Sequence, residues 1–213
     1  MGYEAHRWSV IYLNRVLMLI QGLLLTRHEI MGTGKIPTVQ SIIIVSNHQN
    51  MMDIPPIIWY FRHQHPKFIS KKELGRGIPS ISFNLRKGGS LLIDRNSGNN
   101  AITQISQYGH QMNKINHAVV IFPEGTRSNS AHLSPFKMGG LKALIDAMPE
   151  ALIVPFVVHN NYQIFEKGKF PLKLKNHLKY SILDPFSPKD LDVDTLKAKL
   201  EDIYQNELNK LHS

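Results

Sequence analysis

Two short segments hold the side chains best suited to acid–base chemistry and anion binding. The first is NHQNMMD, in which His48 and Asp53 are five residues apart. On a regular helix that separation corresponds to about 140° of rotation, so the two side chains would diverge. They can meet only if His48 lies in a turn and Asp53 lies in the first turn of the following helix. The carboxylate would then hold one imidazole nitrogen as N–H and leave the other free as a base.

A purely structural explanation of this first segment is that Asp53 caps a helix and His48 is a turn histidine with satisfied hydrogen bonds. The chain contains 11 histidines. A single His–Asp spacing is therefore weak support for a catalytic site.

The second segment, FPEGTRS, combines a flexible backbone with an arginine. Gly125 lets the backbone approach a ligand closely, and the planar guanidinium of Arg127 suits a phosphate. Thr126 and Ser128 add hydroxyl groups. Alone, such a turn is a weak indication of function.

Both segments directly follow β-branched runs that predict buried strands, at 41–46 and 118–122. The carboxyl ends of strands are where α/β sheets present reactive groups. The alternation of strands and helices along the chain predicts an α/β fold with a central, mostly parallel sheet flanked by helices. The remaining expected elements are strands at 67–70, 90–93 and 152–158, one or two edge strands within 172–183, and helices at 53–61, 99–114, 137–147 and 190–211.

Together, NHQNMMD and FPEGTRS resemble the signature of the glycerolipid acyltransferase family, NHx4D followed downstream by FPEGTRS. Two further blocks of that family have counterparts here, and the four blocks appear in order over roughly residues 40–160. The chain is most similar to bacterial 1-acyl-sn-glycerol-3-phosphate acyltransferases in NHQN, LLIDR and FPEGTRS. The counterparts of the second block are Lys71-Lys72-Glu73-Leu74, Gly88-Gly89 and Ile93-Asp94-Arg95, and that of the fourth is Val154-Pro155-Phe156.

The resemblance implies a 1-acylglycerol-3-phosphate O-acyltransferase. Such an enzyme moves a fatty acyl group from acyl-CoA or acyl carrier protein to the sn-2 hydroxyl of lysophosphatidic acid, giving phosphatidic acid in phospholipid biosynthesis. His48 would be the general base, and Asp53 would orient it. The chain has no cysteine and no Gly-x-Ser-x-Gly motif, so direct attack by the acceptor hydroxyl is favoured over a covalent acyl-enzyme.

The resemblance also implies the acceptor site. Glu124, Gly125, Thr126 and Arg127 would bind the acceptor, with Arg127 on the glycerol phosphate. Backbone N–H groups near Asn47 or in the Glu124–Gly125 turn are candidate donors to the thioester oxyanion.

Three more basic residues are candidate phosphate partners by the same resemblance: Lys71 or its neighbour Lys72, and Arg95. A solvated surface pair explains Lys71 and Lys72 equally well. A strand-end ion pair with Asp94 explains Arg95 at least as well as direct binding does.

The charge of the chain indicates anionic partners. The 25 Lys and Arg residues outnumber the 16 Asp and Glu residues, for a net charge of +9. This suits lysophosphatidic acid, acyl-CoA or acyl carrier protein, and an anionic membrane surface. A nucleic-acid-binding module would explain the charge but not the two motifs, so no nucleic acid is expected. No metal or resident cofactor is expected either, because His63 and His65 lack a convincing third ligand.

Two other enzymatic readings remain open. The acceptor could be another lysolipid, such as a lyso-ornithine lipid or a lysophospholipid, although the basic residues favour lysophosphatidic acid. A hydrolase that uses His48 to activate water is a third possibility.

The most apolar stretch, residues 8–26, is interrupted by Asn14, Arg15 and Gln21, which argues against a simple membrane span. We divide the chain into an apolar, amphipathic membrane-associating helix at 1–30 and an acyltransferase domain at 31–213. This predicts a membrane-associated protein at the cytoplasmic face of a bacterial inner membrane. An ordinary helix that covers the core is the alternative. The residues expected to share one helical face are Ile11, Val16, Leu19, Leu23 and Leu24, and those suited to headgroup depth are Trp8, Tyr12 and Arg15.

Overall fold

The computed structural model describes residues 2–76, 79–94, 97–166, 168 and 170–212. Its strands are β1 (Arg27–Met31), β2 (Ile42–Ser46), β3 (Lys67–Lys71), β4 (Leu91–Ile93), β5 (Val119–Ile121), β6 (Leu152–His159) and β7 (His177–Ile182). Its helices are α1 (Tyr3–Leu23), α2 (Ile54–Tyr60), α3 (Pro79–Lys87), α4 (Asn99–Lys114), α5 (Met138–Ala147) and α6 (Val193–His212).

The strands form one sheet in the order β1-β7-β6-β2-β5-β3-β4. The five strands from β6 to β4 in this order run parallel to one another. β7 is antiparallel to β6 and parallel to β1. The predicted α/β fold with a mostly parallel sheet is therefore confirmed.

Helices cover both faces of the sheet, so the central strands are buried on both sides and consist of β-branched residues. In β2, Ile43 and Val45 pack toward α4, α5 and α6. Ile42 and Ile44 point the other way, into a second core with α1 and α2. The parallel pairing of β2 with β5 and β6 fixes the level at which these strands end, and with it the position of the loops that follow.

Three elements differ from the sequence-based expectations. β1 and α3 were not predicted, because RHEIM is largely polar and α3 is short. The segment 172–183 contains one strand, β7, and it is not an edge strand, since β1 and β6 pair with its two sides. The division of the chain at residue 30 stays a prediction, although β1 spans that position.

Helix α1 has two different apolar faces. Its buried residues recur every three or four positions and face α2 and the sheet: Ile11, Asn14, Met18 and Gln21. The expectation that Ile11 shares a face with Val16, Leu19 and Leu23 is wrong, because Ile11 belongs to the core whereas the other three are exposed. Among the described residues, no helix is both long enough and apolar enough to cross a membrane.

Candidate active site

The two motifs meet at the carboxyl edge of the parallel strands. β2 pairs with β5 so that Val45 lies opposite Ile121. His48 and Glu124 follow these two residues by three positions each, and their loops therefore leave the sheet at the same level. This edge is where α/β sheets bind ligands.

The structure brings His48 and Asp53 together. The His48 Nδ1 atom lies 2.7 Å from Asp53 Oδ2. A short 3₁₀ turn (Met51–Asp53) precedes α2, and a reciprocal capping arrangement with Asn50 holds it. This is the turn-then-helix geometry that the five-residue spacing requires. Asp53 both caps the turn and contacts the histidine, so the structural and functional explanations of the spacing are compatible.

Both oxygens of the Asp53 carboxylate accept hydrogen bonds from protein groups. The side chain is completely buried. Besides His48, Oδ2 accepts hydrogen bonds from the backbone N–H groups of Gln49 and Asn50, at 2.7 and 2.9 Å. Oδ1 accepts one from the side-chain amide of Asn161 at 2.8 Å. A buried carboxylate is tolerated only when it is satisfied in this way.

These contacts determine which nitrogen of His48 is reactive. With Nδ1–H donating to Asp53, the neutral ring carries its free lone pair on Nε2. Among the described residues, none forms a hydrogen bond with His48 Nε2. The ring stacks on Phe122 with a centroid distance of 4.1 Å, and its side chain is 14% exposed. The imidazole is therefore held firmly, with its basic atom available to a ligand.

Glu124 fixes the backbone of the histidine loop. It is buried, and its Oε1 accepts from His48 N–H at 2.6 Å while Oε2 accepts from Ser134 N–H at 2.9 Å. Burial raises the pKa of this carboxyl, and the two backbone donors oppose that rise. Two backbone hydrogen bonds join the same loops, from Ser128 N–H to His48 O and from Asn129 N–H to Gln49 O. The family resemblance implies that Glu124 binds the acceptor, and that role stays a prediction in addition to the positioning contacts seen here.

The rest of the FPEGTRS turn faces outward. Thr126 and Arg127 are exposed, and Gly125 has a φ of +75°, a conformation that suits glycine. A Cβ atom at Gly125 would lie 3.5 Å from the Lys137 Nζ atom. Lys137 is thus a cation beside the turn that the sequence analysis did not assign to the site. The sequence pattern predicts this residue only as the start of a helix.

Two of the three other predicted phosphate partners, Lys71 and Lys72, lie among the described residues. Lys71 ends β3 and Lys72 follows it, and both are exposed. β3 lies next to β5 in the sheet, so Lys71 ends at the same edge as the Arg127 turn. Arg95 lies outside the described residues.

An apolar groove of about 410 Å³ adjoins this edge. It lies between the ends of β3, β4 and β5 and the helices α4 and α5. It reaches Phe122, which stacks on His48, and also Gly125 and Lys137. Its aliphatic lining is provided by Ile69, Ile93, Ala101, Ile102, Ile105 and Ile121.

Sequence reasoning missed Asn161 and Tyr180 as parts of the site. Both are fully buried. The Tyr180 hydroxyl donates to Asn161 Oδ1 at 3.2 Å, and the Asn161 amide donates to Asp53. Asn161 follows β6, a parallel neighbour of β2. Its position three residues past a predicted strand was a usable indication, because the carboxyl ends of neighbouring strands converge.

A family model described as Acyltransferase matches residues 27–159, which include both motifs and the His48–Asp53 pair. The chain belongs to this acyltransferase family. The resemblance noted from the two motifs is thereby confirmed.

The sequence similarity of the chain to characterised proteins is consistent with this family membership. The chain is 24% identical to mouse 1-acyl-sn-glycerol-3-phosphate acyltransferase alpha, over 83% of this chain and 61% of the relative. It is 29% identical to the human beta enzyme, over 67% and 50%. It is also 29% identical to the Haemophilus influenzae 1-acyl-sn-glycerol-3-phosphate acyltransferase, over 68% and 64%. The matches thus span about half to two thirds of these relatives' lengths.

A solved structure shares the fold. The crystal structure of the 1-acyl-sn-glycerophosphate acyltransferase PlsC from Thermotoga maritima matches with a TM-score of 0.80. The match covers 100% of this chain and 83% of that chain at 22% identity. The likeness extends to the ends of the chain, beyond the residues matched by the family model.

Replacing Glu124 with Gln should lower the free energy of unfolding by about 1–3 kcal/mol. The amide can accept from only one of the two backbone N–H groups and leaves the other buried and unsatisfied. Chemical denaturation followed by circular dichroism measures this change. Arg127→Gln, in the same turn but exposed, should alter it by less than about 0.5 kcal/mol. Equal effects of the two substitutions would contradict the positioning role of Glu124.

Proposed function

We propose that this protein transfers a fatty acyl group from a thioester, acyl-CoA or acyl carrier protein, to the sn-2 hydroxyl of lysophosphatidic acid. The observation that carries the proposal is the 2.7 Å contact between His48 and Asp53 beside an arginine turn. The names of the relatives, which act as 1-acyl-sn-glycerol-3-phosphate acyltransferases, support the choice of acceptor.

His48 acts as the general base. Its Nε2 atom takes the proton of the acceptor hydroxyl as that oxygen attacks the thioester carbonyl. Asp53 stabilises the resulting imidazolium through Nδ1–H. When the C–S bond breaks, the same Nε2–H group returns its proton to the departing thiolate. The products are the new ester and a free thiol, so atoms and charges balance without a covalent enzyme intermediate.

Cations at the carboxyl edge bind the acceptor phosphate. Arg127 is exposed at the turn next to the histidine loop, and Lys137 lies beside Gly125. Lys71 is a further candidate at the end of β3. A guanidinium offers two parallel donors to phosphate oxygens. The chemistry of this edge therefore fits a small acceptor that carries a phosphate near its reactive hydroxyl.

The apolar groove suits the hydrocarbon part of a substrate. Its isoleucine walls end at Gly125 and at Phe122, the residue that stacks on His48. An acyl chain lying there would be removed from water. The thioester carbonyl at its end would then lie near Nε2 of the histidine.

The exposed face of α1 would hold the protein at a lipid surface. This face carries large exposed apolar side chains, among them Leu19, Ile20 and Leu23, and the chain has a net charge of +9. A helix of this kind lies in the interface rather than across the bilayer. Both lysophosphatidic acid and its acylated product are membrane lipids, so such attachment would bring the enzyme to its substrate.

His48→Ala should lower the rate of acyl transfer by about 10³-fold, because the base is lost. Asp53→Asn should also lower kcat more than it raises KM, because the imidazolium loses its counter-charge. The second substitution keeps the shape of the side chain, and a flip of the Asn161 amide can restore the hydrogen bond. Turnover is measured with lysophosphatidic acid and a panel of acyl-CoA and acyl carrier protein donors, with mass spectrometry of the product. Normal turnover by the folded His48 variant would refute the proposal.

Arg127→Gln should raise the KM for lysophosphatidic acid by about tenfold, since one charge-assisted contact to phosphate is lost. Its effect on an acceptor without a phosphate, such as a monoacylglycerol, should be small. Lys142→Gln, which removes an exposed lysine of α5 that pairs with Asp146, serves as the control for general loss of charge. An unchanged KM and kcat/KM in the Arg127 variant would contradict its role at the phosphate.

Replacing both Leu19 and Leu23 with Ser should reduce flotation of the protein with vesicles that contain anionic phospholipid. Both side chains are exposed, at 57% and 82%, so the free energy of unfolding should change little. Met18→Ala on the buried face provides the reverse control, with reduced stability and retained flotation. Equal flotation of the double variant and the unmodified protein would contradict attachment through this face.

A further inference from the structure

A second cavity, lined by several basic side chains, lies at the amino edge of the sheet, opposite the edge that carries His48. It is enclosed by the start of α1, the end of α2 and the start of β3, and its volume is about 50 Å³. A buried water needs about 10–15 Å³ measured in this way. The cavity therefore has room for several waters or for one small anion. Lys67, at the amino end of β3, lines it.

Lys67 brings to this cavity a positive charge that no carboxylate of the described residues contacts directly. The residue is only 8% exposed. Its ammonium donates to Gly88 O at 2.7 Å and lies 4.9 Å from the centre of the Tyr3 ring. Within the described ranges, no carboxylate oxygen lies within 4.0 Å of this ammonium. A buried cation without an anionic partner is costly.

Two arginines add to the positive charge around the cavity. The Nε atom of Arg7 is buried and has no hydrogen-bond partner among the described residues, although its Nη1 pairs with Glu4. Arg62 donates to Trp59 O at 2.8 Å and lies over the indole ring. The three cations come from three different elements, and the carboxylate of Glu4, which is largely exposed, is the acidic group that acts on them.

The pKa values of groups around the cavity are consistent with a positive electrostatic potential inside it. Burial lowers the pKa of Lys67 to about 8, with Arg7 adding to this effect and Glu4 opposing it. Burial, Arg7 and Lys67 also hold the pKa of His65, which lines the same cavity, below its ordinary value. An anion in the cavity would relieve the cost of each of these charges.

We infer that this cavity is an anion site that binds a phosphate group, held by Lys67, Arg7 and Arg62. The site is separate from the proposed acceptor site, because β3 carries Lys67 at one end and Lys71 at the other. The phosphate could belong to a phospholipid headgroup or be free inorganic phosphate. In either case the bound group would join α1 to the sheet.

Isothermal titration calorimetry with inorganic phosphate tests the site directly. The Arg127→Gln variant, in which the proposed acceptor site is weakened, should still bind phosphate at this cavity, and the cavity variants below show which part of the binding belongs to it. In that background, Lys67→Met should weaken binding by at least about tenfold, because a charge-assisted contact is lost. The matched control is Lys142→Met, which removes an exposed lysine that pairs with Asp146, and it should leave binding unchanged.

Arg62→Gln provides a second variant on another wall of the cavity, in case the Lys67 variant does not fold. It should also weaken phosphate binding, with the fold checked by circular dichroism. Absence of phosphate binding in the Arg127→Gln protein would overturn the inference. Undiminished binding in every folded cavity variant would do the same. None of these measurements depends on turnover, so failure of the proposed function would be seen separately.

Vesicle flotation distinguishes the two sources of phosphate. Vesicles of phosphatidylcholine alone are compared with vesicles that also contain phosphatidylglycerol. If the phosphate belongs to a lipid headgroup, Lys67→Met should reduce flotation with the anionic vesicles more than Lys142→Met does, and free phosphate should compete. If the two variants float equally while Lys67→Met loses phosphate binding in calorimetry, the ligand is the free ion.

Discussion

The buried carboxylate of Asp53 is the constraint on which the rest of the site depends. Its two oxygens accept hydrogen bonds from the His48 ring, from two backbone N–H groups and from Asn161. A charge with no exposure to water requires such a complete set of donors. Meeting that requirement determines the path of the loop after β2, the start of α2 and the tautomer of the histidine. The need to satisfy one buried carboxylate thus fixes the positions of a loop, a helix start and a side chain.

The parallel sheet makes this arrangement possible, because it brings distant segments to one edge. β2, β5 and β6 lie side by side, and each ends just before a residue of the site. The Asn47 side chain adds to this by forming hydrogen bonds with both the N–H and the C=O group of Val158, at 2.8 Å each. The loops are therefore fastened to rigid strands and to each other. Such fixed positioning is what acid–base catalysis requires.

Much of the fold could be predicted from the sequence, since β-branched runs such as 41–46 and 118–122 are characteristic of buried parallel strands. The five-residue spacing of His48 and Asp53 predicted that they could meet only with His48 in a turn and Asp53 at the start of the helix. The structure has that geometry. Other features needed three-dimensional information. β1 was missed because its side chains are largely polar and its pairing depends on β7, about 150 residues away in the chain. Periodicity on α1 could not reveal which of its two apolar faces packs on the core, and Ile11 was therefore misplaced.

The hydrogen bonds between the histidine loop and the arginine loop have a consequence for selectivity. Glu124, together with the backbone contacts of Ser128 and Asn129, joins the two loops into one rigid unit. The backbone positions of His48 and Arg127 are therefore fixed relative to each other. In the proposed reaction, such a unit would select acceptors by the number of bonds between the headgroup anion and the hydroxyl that is esterified. Regiochemistry would therefore be set by main-chain contacts far more than by the shape of the hydrocarbon groove.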